Sequence, residues 1–272
     1  RLATTPRSWL ISTTLMPSSS SQLLTVERLD KSFGGVRAVE GVSFAVAPGE
    51  MLALIGPNGA GKSTCFNMVG GQLPPDAGSV TLSGRPITGL SPRAISRAGV
   101  GRTFQVTATF GSMTVRENVQ MALLSHWREI WRFWRPVAGR RTDEADALLA
   151  QVGLEAQADR AAGVLAYGDL KRLELAVALG NEPRLLLMDE PTAGMAPAER
   201  AGLMRLTRRL ATERGVAVLF TEHDMDVVFD VSDRILVLNR GSLIAEGDGA
   251  SIRADPAVRE IYLGTGSTSG GH

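Results

Sequence analysis

One short loop narrows the folds that this chain can adopt. Residues 56–63 read GPNGAGKS and fit the phosphate-binding pattern G-x-x-x-x-G-K-[ST]. The apolar run Met51–Ile55 leads into the loop as a predicted buried strand, and residues 63–69 read as the start of a helix. Glycines let backbone N–H groups curl around phosphate oxygens, and a helix N-terminus adds positive dipole. The loop therefore predicts a nucleoside triphosphate site between a strand and a helix.

Two side chains of this loop have predicted roles toward the nucleotide. Lys62 would reach the β- and γ-phosphates, and the Ser63 hydroxyl would be a ligand of Mg²⁺. An ordinary glycine-rich turn is the alternative, and the lysine, the hydroxyl and the flanking elements disfavour it. Kinases, GTPases and motor ATPases share this loop, so other parts of the chain must specify the reaction.

Composition excludes several classes of protein. Basic and acidic residues number 29 and 28, a net charge of +1, so nucleic acid is not an expected partner. The single cysteine, Cys65, excludes a disulfide framework or a cysteine metal site and favours a reducing compartment. No stretch reaches the roughly 18 consecutive apolar residues of a membrane helix, so we expect a soluble chain that can sit on a membrane through partners.

The two ends of the chain differ from its middle. Residues 1–22 are rich in serine and threonine and are predicted to form a disordered N-terminal extension. Residues 265–272 are rich in glycine and serine and are predicted to form a flexible tail.

Predicted strands and helices alternate between these ends. Two strands flank a turn at Gly34 and Gly35, a capping box at Thr114 opens a helix, and a long helix runs from near Pro197 to Gly215. Further helices are predicted at residues 142–152, 170–179 and 256–263. Buried strands are predicted at residues 184–190 and 216–221, and sheet-edge strands at 234–238 and 242–245.

Polar residues near the ends of these strands are predicted to converge on the phosphate loop. Ligands bind at the carboxyl ends of the strands in open α/β sheets. Asp189 is placed to hold Mg²⁺ together with Ser63, and Glu190 to deprotonate the attacking water. Gln105 would contact Mg²⁺ or the water, and His223 would donate to the γ-phosphate. The alternative for His223 is a structural cap on the strand end.

Two aromatic features leave alternatives open. Phe33 fits an adenine-stacking residue and a half-buried sheet aromatic equally well. Residues 127–135 place tryptophans on one helical face and arginines on another. That helix fits a contact with lipid headgroups or a membrane partner, and it also fits a solvated arginine face with tryptophans packed inward.

Taken together, the motifs resemble those of an ABC-transporter ATPase from about residue 23 to 264. Residues 56–64 resemble its Walker A motif and residues 185–190 its Walker B motif with the catalytic glutamate. Gln105 corresponds to the Q-loop glutamine, His223 to the switch histidine and Phe33 to the adenine-stacking aromatic. The signature LSGGQ corresponds to Leu165, Ala166, Tyr167, Gly168 and Asp169.

The resemblance implies a fold and a set of ligands. The fold is α/β: a P-loop NTPase (RecA-like) core with an antiparallel β subdomain and an inserted α-helical subdomain at about residues 106–180. The ligands are ATP and Mg²⁺, with Ser63, Gln105 and Asp189 at the metal. The implied nucleotide-binding residues are Gly56, Pro57, Asn58, Gly59, Ala60, Gly61, Lys62, Ser63, Thr64 and Phe33.

The resemblance also implies partners. In this family the signature of one subunit faces the phosphate loop of another, so a second ATPase subunit, either a copy or a paralogue, is expected. Two integral-membrane permease subunits and, indirectly, a periplasmic solute-binding protein complete the implied assembly. The chain would then lie at the cytoplasmic side of the inner membrane.

Finer motifs narrow the resemblance. Residues 102–105, 165–168, 222–225 and the tail around 255–264 are similar to the larger ATP-binding subunit of branched-chain amino acid importers, a group that includes importers of urea, amides and carboxylated compounds. The ATPase of lipopolysaccharide export has a similar tail and is one alternative. A non-transport ABC ATPase is another, although this chain has neither tandem cassettes nor a long coiled coil.

Several residues depart from the family pattern. Ala166 lacks the hydroxyl that would bond the partner's nucleotide, Tyr167 replaces glycine and Asp169 replaces glutamine. Ala196 stands where the family has Asp or Asn. In a heterodimer these changes predict two composite sites of unequal rate. Equal loss of turnover on placing Glu190→Gln in either subunit alone would contradict that hypothesis.

Overall fold

The structure is a computed structural model that describes residues 22–103, 109–126 and 141–263. Residues 1–21 of the predicted extension, Gln105, the predicted helix at 127–135 and the predicted tail at 265–272 lie outside these ranges. No helix within the described ranges is long and apolar enough to span a membrane.

Strands and helices alternate along the described chain. The strands are β1 (Leu24–Phe33), β2 (Val36–Val46), β3 (Met51–Ile55), β4 (Ala77–Leu82), β5 (Arg85–Pro86), β6 (Val100–Thr103), β7 (Leu185–Asp189), β8 (Ala217–Thr221), β9 (Arg234–Asn239) and β10 (Ser242–Gly247). The helices are α1 (Lys62–Val69), α2 (Pro92–Arg97), α3 (Val115–His126), α4 (Thr142–Val152), α5 (Tyr167–Leu179), α6 (Pro197–Arg214), α7 (Met225–Val231), α8 (Gly249–Ala254) and α9 (Pro256–Leu263).

The larger sheet is parallel except at one edge. Its order is β10-β9-β3-β8-β7-β6, with β10 antiparallel to β9. Strands β3, β7 and β8 are buried along their whole length, as expected for strands that are covered on both faces. The predicted edge position of β9 is wrong, because β9 pairs in parallel with β3 and lies inside β10. Its four central residues are all buried, which is typical of an interior strand.

A second, antiparallel sheet has the order β2-β1-β4-β5. The predicted turn at Gly34 and Gly35 joins β1 to β2, and both glycines have positive φ, +52° and +86°. The register of β1 against β2 shifts near Leu29, where the strands are irregular. Phe33 is the last residue of β1, directly before this turn.

The hydrophobic core has two parts, one on each face of the parallel sheet. Because side chains alternate along a strand, Met51, Ala53 and Ile55 pack with helices α3 to α7, while Leu52 and Leu54 pack with the antiparallel sheet, α1 and α2. The sheet is thus held between a helical layer and a mixed layer. Its carboxyl-terminal edge carries the candidate site.

Most helix ends agree with the sequence predictions. In the capping box the Thr114 N–H donates to the Glu117 carboxylate at 2.7 Å, and the Glu117 N–H donates to the Thr114 hydroxyl at 3.1 Å. Helix α4 ends at Gly153 in the left-handed conformation. The predicted start of α5 at residue 170 is wrong, because the helix begins at Tyr167. Asp169 then lies in the first turn, where its negative charge favours a helix N-terminus.

Candidate active site

The phosphate loop joins β3 to α1 and depends on glycine. Gly56, Gly59 and Gly61 have φ values of +151°, +78° and +100°, where residues with a side chain are strained. A Cβ atom on Gly56 would overlap the carbonyl oxygen of Leu238, and one on Gly61 would overlap that of Ala38. The loop can therefore fold against the N-terminus of α1, where N–H groups and the helix dipole favour an anion.

Lys62 is the first residue of α1, and its ammonium group lies inside the loop. Nζ donates to the carbonyl oxygen of Gly56 at 2.6 Å and to that of Pro57 at 3.1 Å. Burial lowers the pKa of Lys62, and the negative charges of Glu190 and Asp189 partly oppose that shift. A phosphate group would replace the two carbonyl acceptors with charged ones, which make stronger hydrogen bonds to an ammonium group.

Asp189 ends β7 and is oriented by the neighbouring strand. It lies opposite Thr221 in the β7–β8 register, and the Thr221 hydroxyl donates to Asp189 Oδ1 at 2.7 Å. The same hydroxyl accepts from the backbone N–H of Glu190 at 3.0 Å. Arg102 Nη2 lies 3.7 Å from Asp189 Oδ2. A single buried threonine therefore fixes the positions of both acidic residues.

Glu190 directly follows β7 and has an unusual backbone conformation. Its φ is +48°, which glutamate rarely adopts and which occurs often at functional sites. Its Oε1 lies 2.8 Å from Nε2 of His223, and His223 lies two residues after the end of β8. Neighbouring parallel strands thus present a carboxylate and an imidazole at hydrogen-bond distance.

A cleft of about 330 Å³ brings the predicted residues together. It is lined by the phosphate loop, by the strand-end carboxylate–histidine pair and by one end of the antiparallel sheet. The lining residues are Phe33, Ala38, Asn58, Gly59, Ala60, Gly61, Lys62, Ser63, Thr64, Glu190 and His223. Phe33 is 49% exposed at one wall, Ser63 is exposed, and Asp189 is buried next to the cleft. Gly56 and Pro57 are not among the lining residues, but their carbonyl oxygens hold Lys62.

Two predicted groups are not among the lining residues of this cleft, for different reasons. Gln105 lies outside the described residues, so its predicted contact with Mg²⁺ or the water stays a prediction. Leu165, Ala166, Tyr167, Gly168 and Asp169 are grouped at the N-terminus of α5, and none of them lines the cleft. Ala166 is the N-cap of α5 and Ala196 the N-cap of α6, and neither offers a side chain that could cap its helix.

Sequence reasoning gave no role to Thr221, Glu222 and Thr192. The Glu222 carboxylate is buried, and its Oε1 accepts from the Thr192 N–H at 3.0 Å and from the Thr192 hydroxyl at 2.6 Å. Its Oε2 accepts from the His223 N–H at 3.2 Å. Glu222 therefore ties the loop after Glu190 to the backbone of His223. The available signal was the run of polar residues 221–224, which directly follows the apolar residues 216–220.

A glycine-rich loop on a helix N-terminus, with a buried carboxylate and a carboxylate–histidine pair at the adjoining strand ends, defines a P-loop nucleotide hydrolase. Comparison with known proteins identifies the family. Residues 39–193 match the family model described as ABC transporter. Residues 242–268 match the model described as branched-chain amino acid ATP-binding cassette transporter.

Individual relatives agree with the family models. The chain is 40% identical over 252 residues to the high-affinity branched-chain amino acid transport ATP-binding protein BraF of Pseudomonas aeruginosa, covering 90% of this chain and 99% of BraF. It is 40% identical over 253 residues to LivG of Escherichia coli K12, a protein of the same description, with the same coverage of 90% and 99%.

Solved structures agree as well. The ADP conformation of MJ1267, an ATP-binding cassette of an ABC transporter, has a TM-score of 0.80 and 33% identity, with 89% of this chain and 99% of that chain covered. The structure of cbiO1 from Clostridium perfringens, part of the ABC transporter complex cbiONQ, has a TM-score of 0.74 and 29% identity, with 89% and 95% covered. The chain belongs to the ATP-binding subunits of ABC transporters, and it is an ATPase.

Proposed function

We propose that the chain is the energy-coupling ATPase of an importer for branched-chain amino acids or related small amides and carboxylates. The observation that carries this proposal is the 40% identity to BraF, which spans 90% of this chain and 99% of that protein. The match of residues 242–268 to the branched-chain amino acid cassette model also supports the proposal, and these residues lie far along the chain from the phosphate loop.

Glu190 and His223 form the proposed hydrolytic pair. The Glu190 carboxylate accepts a proton from the attacking water, a role that fits its place beside the phosphate loop at the end of a parallel strand. His223, 2.8 Å from that carboxylate, orients it and donates to the γ-phosphate when ATP is bound. Phe33 would stack on the adenine ring, and Gln105 would contact the water or the metal.

Ser63 and Asp189 are the proposed protein ligands of Mg²⁺, with Gln105 as a third. The residues fit this ion because hydroxyl and carboxylate oxygens are the donors that Mg²⁺ prefers. Ser63 is exposed in the cleft, and Asp189 is held at the adjoining strand end by Thr221. Bound Mg²⁺ would neutralise charge on the β- and γ-phosphate oxygens. Lys62 would exchange its bonds to Gly56 and Pro57 for bonds to the same phosphates.

The chain works as half of an ATPase dimer in this proposal. Leu165, Ala166, Tyr167, Gly168 and Asp169 lie at the start of α5 and do not line their own chain's cleft, so they are free to face a partner's nucleotide. The partner is a copy or a paralogue, and the dimer docks on two permease subunits at the cytoplasmic side of the inner membrane. A periplasmic solute-binding protein delivers the substrate.

Reconstitution with co-expressed permeases and the solute-binding protein tests this function. We expect ATPase activity that rises when leucine-loaded binding protein is added, and that falls on Glu190→Gln while ATP binding remains. General-base catalysis typically contributes about 10²- to 10⁴-fold, so the loss should lie in that range. Stimulation by a lipid-linked glycan or by nucleic acid, with no response to loaded binding protein, would overturn the proposal.

A further inference from the structure

Tyr167 makes a contact that links the start of α5 to the loop after Glu190. Its hydroxyl donates to the carbonyl oxygen of Ala193 at 3.0 Å. Its ring lies beside Gly194, where an added Cβ atom would lie 3.6 Å from Cε1 of the ring. Lys171 Nζ lies 5.4 Å from the ring centroid. Tyr167 is 46% exposed, so its hydroxyl bond to Ala193 is made at the surface of the chain.

The segment that Tyr167 contacts carries the proposed general base. Residues 190–195 lie in the connection between β7 and α6, and the segment is held at its start by Thr221 and in its middle by Glu222. The Ala193 N–H donates to the Glu190 carbonyl oxygen at 3.1 Å, so Ala193 closes the turn that Glu190 opens. Tyr167 holds the other polar group of Ala193, its carbonyl. It is a further anchor on the turn, and it comes from a different element.

The first turns of α5 and α6 also lie side by side. A Cβ atom on Gly168 would lie 3.4 Å from Oε1 of Glu199, which is in the first turn of α6. The turn from Glu190 leads directly into α6. A displacement of the α5 N-terminus would therefore move the tyrosine hydroxyl relative to the turn that it holds.

We propose that Tyr167 is a positioning residue for hydrolysis, which holds the 190–195 turn through the Ala193 carbonyl and makes the geometry of Glu190 depend on the position of the α5 N-terminus. This inference rests on the proposed roles of Glu190 and of the α5 N-terminus. When the α5 N-terminus contacts the partner's nucleotide, the hydrogen bond from Tyr167 to Ala193 makes the position of this chain's Glu190 depend on that contact. Tyrosine does this where glycine cannot, because only its long side chain with a terminal donor reaches Ala193.

Steady-state kinetics of the assembled transporter test the inference. Tyr167→Phe removes the hydroxyl and keeps the ring against Gly194. We expect kcat for ATP to fall roughly 2- to 10-fold, the effect of losing one hydrogen bond of ordinary net strength. KM for ATP should stay unchanged, because the Tyr167 hydroxyl is hydrogen-bonded to Ala193 and the α5 N-terminus would meet the partner's nucleotide through backbone N–H groups. The melting temperature should stay unchanged because the hydroxyl is near solvent. Amide hydrogen exchange at residues 190–195 should become faster.

Three results would overturn it: an unchanged kcat in Tyr167→Phe, a lower kcat that only follows a lower melting temperature, or a raised KM without a change in kcat. Tyr167→Ala, which also removes the ring, should add little to the loss if the hydroxyl is the essential group. Glu190→Gln measured in parallel keeps the two proposals separate. If that variant retains full turnover, the assignment of the base has failed, whatever Tyr167→Phe shows.

Discussion

Thr221 offers a sharp test of how the two acidic residues are held, because one buried hydroxyl serves both. It donates to Asp189 Oδ1 at 2.7 Å and accepts from the Glu190 N–H at 3.0 Å. Thr221→Val keeps the volume and the β-branched shape and removes only these bonds. The Glu190 N–H retains a second acceptor, the Thr221 carbonyl oxygen at 3.2 Å, so the main loss falls on the carboxylate.

The size of the effect follows from the charge of the acceptor. A hydrogen bond to a charged group contributes about 1.5–3 kcal/mol to stability. For a domain of this size that corresponds to a fall in melting temperature of roughly 3–12 °C. Turnover should also fall, because the metal ligand and the base lose their common support. Differential scanning calorimetry of the nucleotide-free protein and ATPase kinetics measure the two effects.

Thr207→Val is a matched control within the same chain. Thr207 is equally buried, and its hydroxyl donates to the Leu203 carbonyl oxygen at 2.9 Å inside α6. That hydrogen bond joins two uncharged groups, so Thr207→Val should lower the free energy of unfolding by about 0.5–1.5 kcal/mol and leave kcat unchanged. Equal destabilisation by the two variants, or an unchanged kcat in Thr221→Val, would refute the reasoning.

Three further predictions follow from single side chains. Phe33→Ala should weaken ATP binding roughly 5- to 150-fold, the effect of losing about 1–3 kcal/mol of base stacking, whereas Ala at the exposed Phe110 should leave affinity unchanged; equal effects at both positions would contradict the stacking role. Burial lowers the pKa of Lys62, so its charge costs stability below the folded pKa, and that cost fades as pH rises toward ~10.4. The melting temperature of the nucleotide-free wild type relative to Lys62→Met should therefore rise as the pH approaches that value; a difference that does not change with pH would count against this cause. Burial raises the pKa of Cys65 to about 12, so iodoacetamide at pH 8 should modify the thiol only after unfolding, and rapid labelling of the native protein would contradict it.

Local patterns predicted most of the elements that build the site. The phosphate loop, the strands β3, β7 and β8, and the capping box at Thr114 depend on short-range chemistry: positive φ at glycine, apolar runs and reciprocal caps. These features require no knowledge of the tertiary structure. The sequence alone therefore predicts that Lys62, Asp189, Glu190 and His223 lie at one edge of the sheet.

The features that sequence reasoning missed depend on contacts between distant segments. The position of β9 inside the sheet is set by its pairing with β3, some 180 residues earlier in the chain. Thr221 has a role because register places it opposite Asp189, and Glu222 because its carboxylate meets Thr192 in a different loop. The predicted start of α5 lies three residues later than the observed one, because Tyr167 and Gly168 are poor helix signals on their own.

ATP-driven uptake in sealed proteoliposomes tests the central claim most directly. The vesicles contain the permeases and this chain, with the solute-binding protein at the substrate-accepting face of the membrane and ATP at the opposite face. They should accumulate radiolabelled leucine. Glu190→Gln should abolish uptake while a fluorescent ATP analogue still binds at wild-type affinity. Uptake that persists in Glu190→Gln, or wild-type vesicles that hydrolyse ATP in response to loaded binding protein yet accumulate no branched-chain amino acid, would contradict the account.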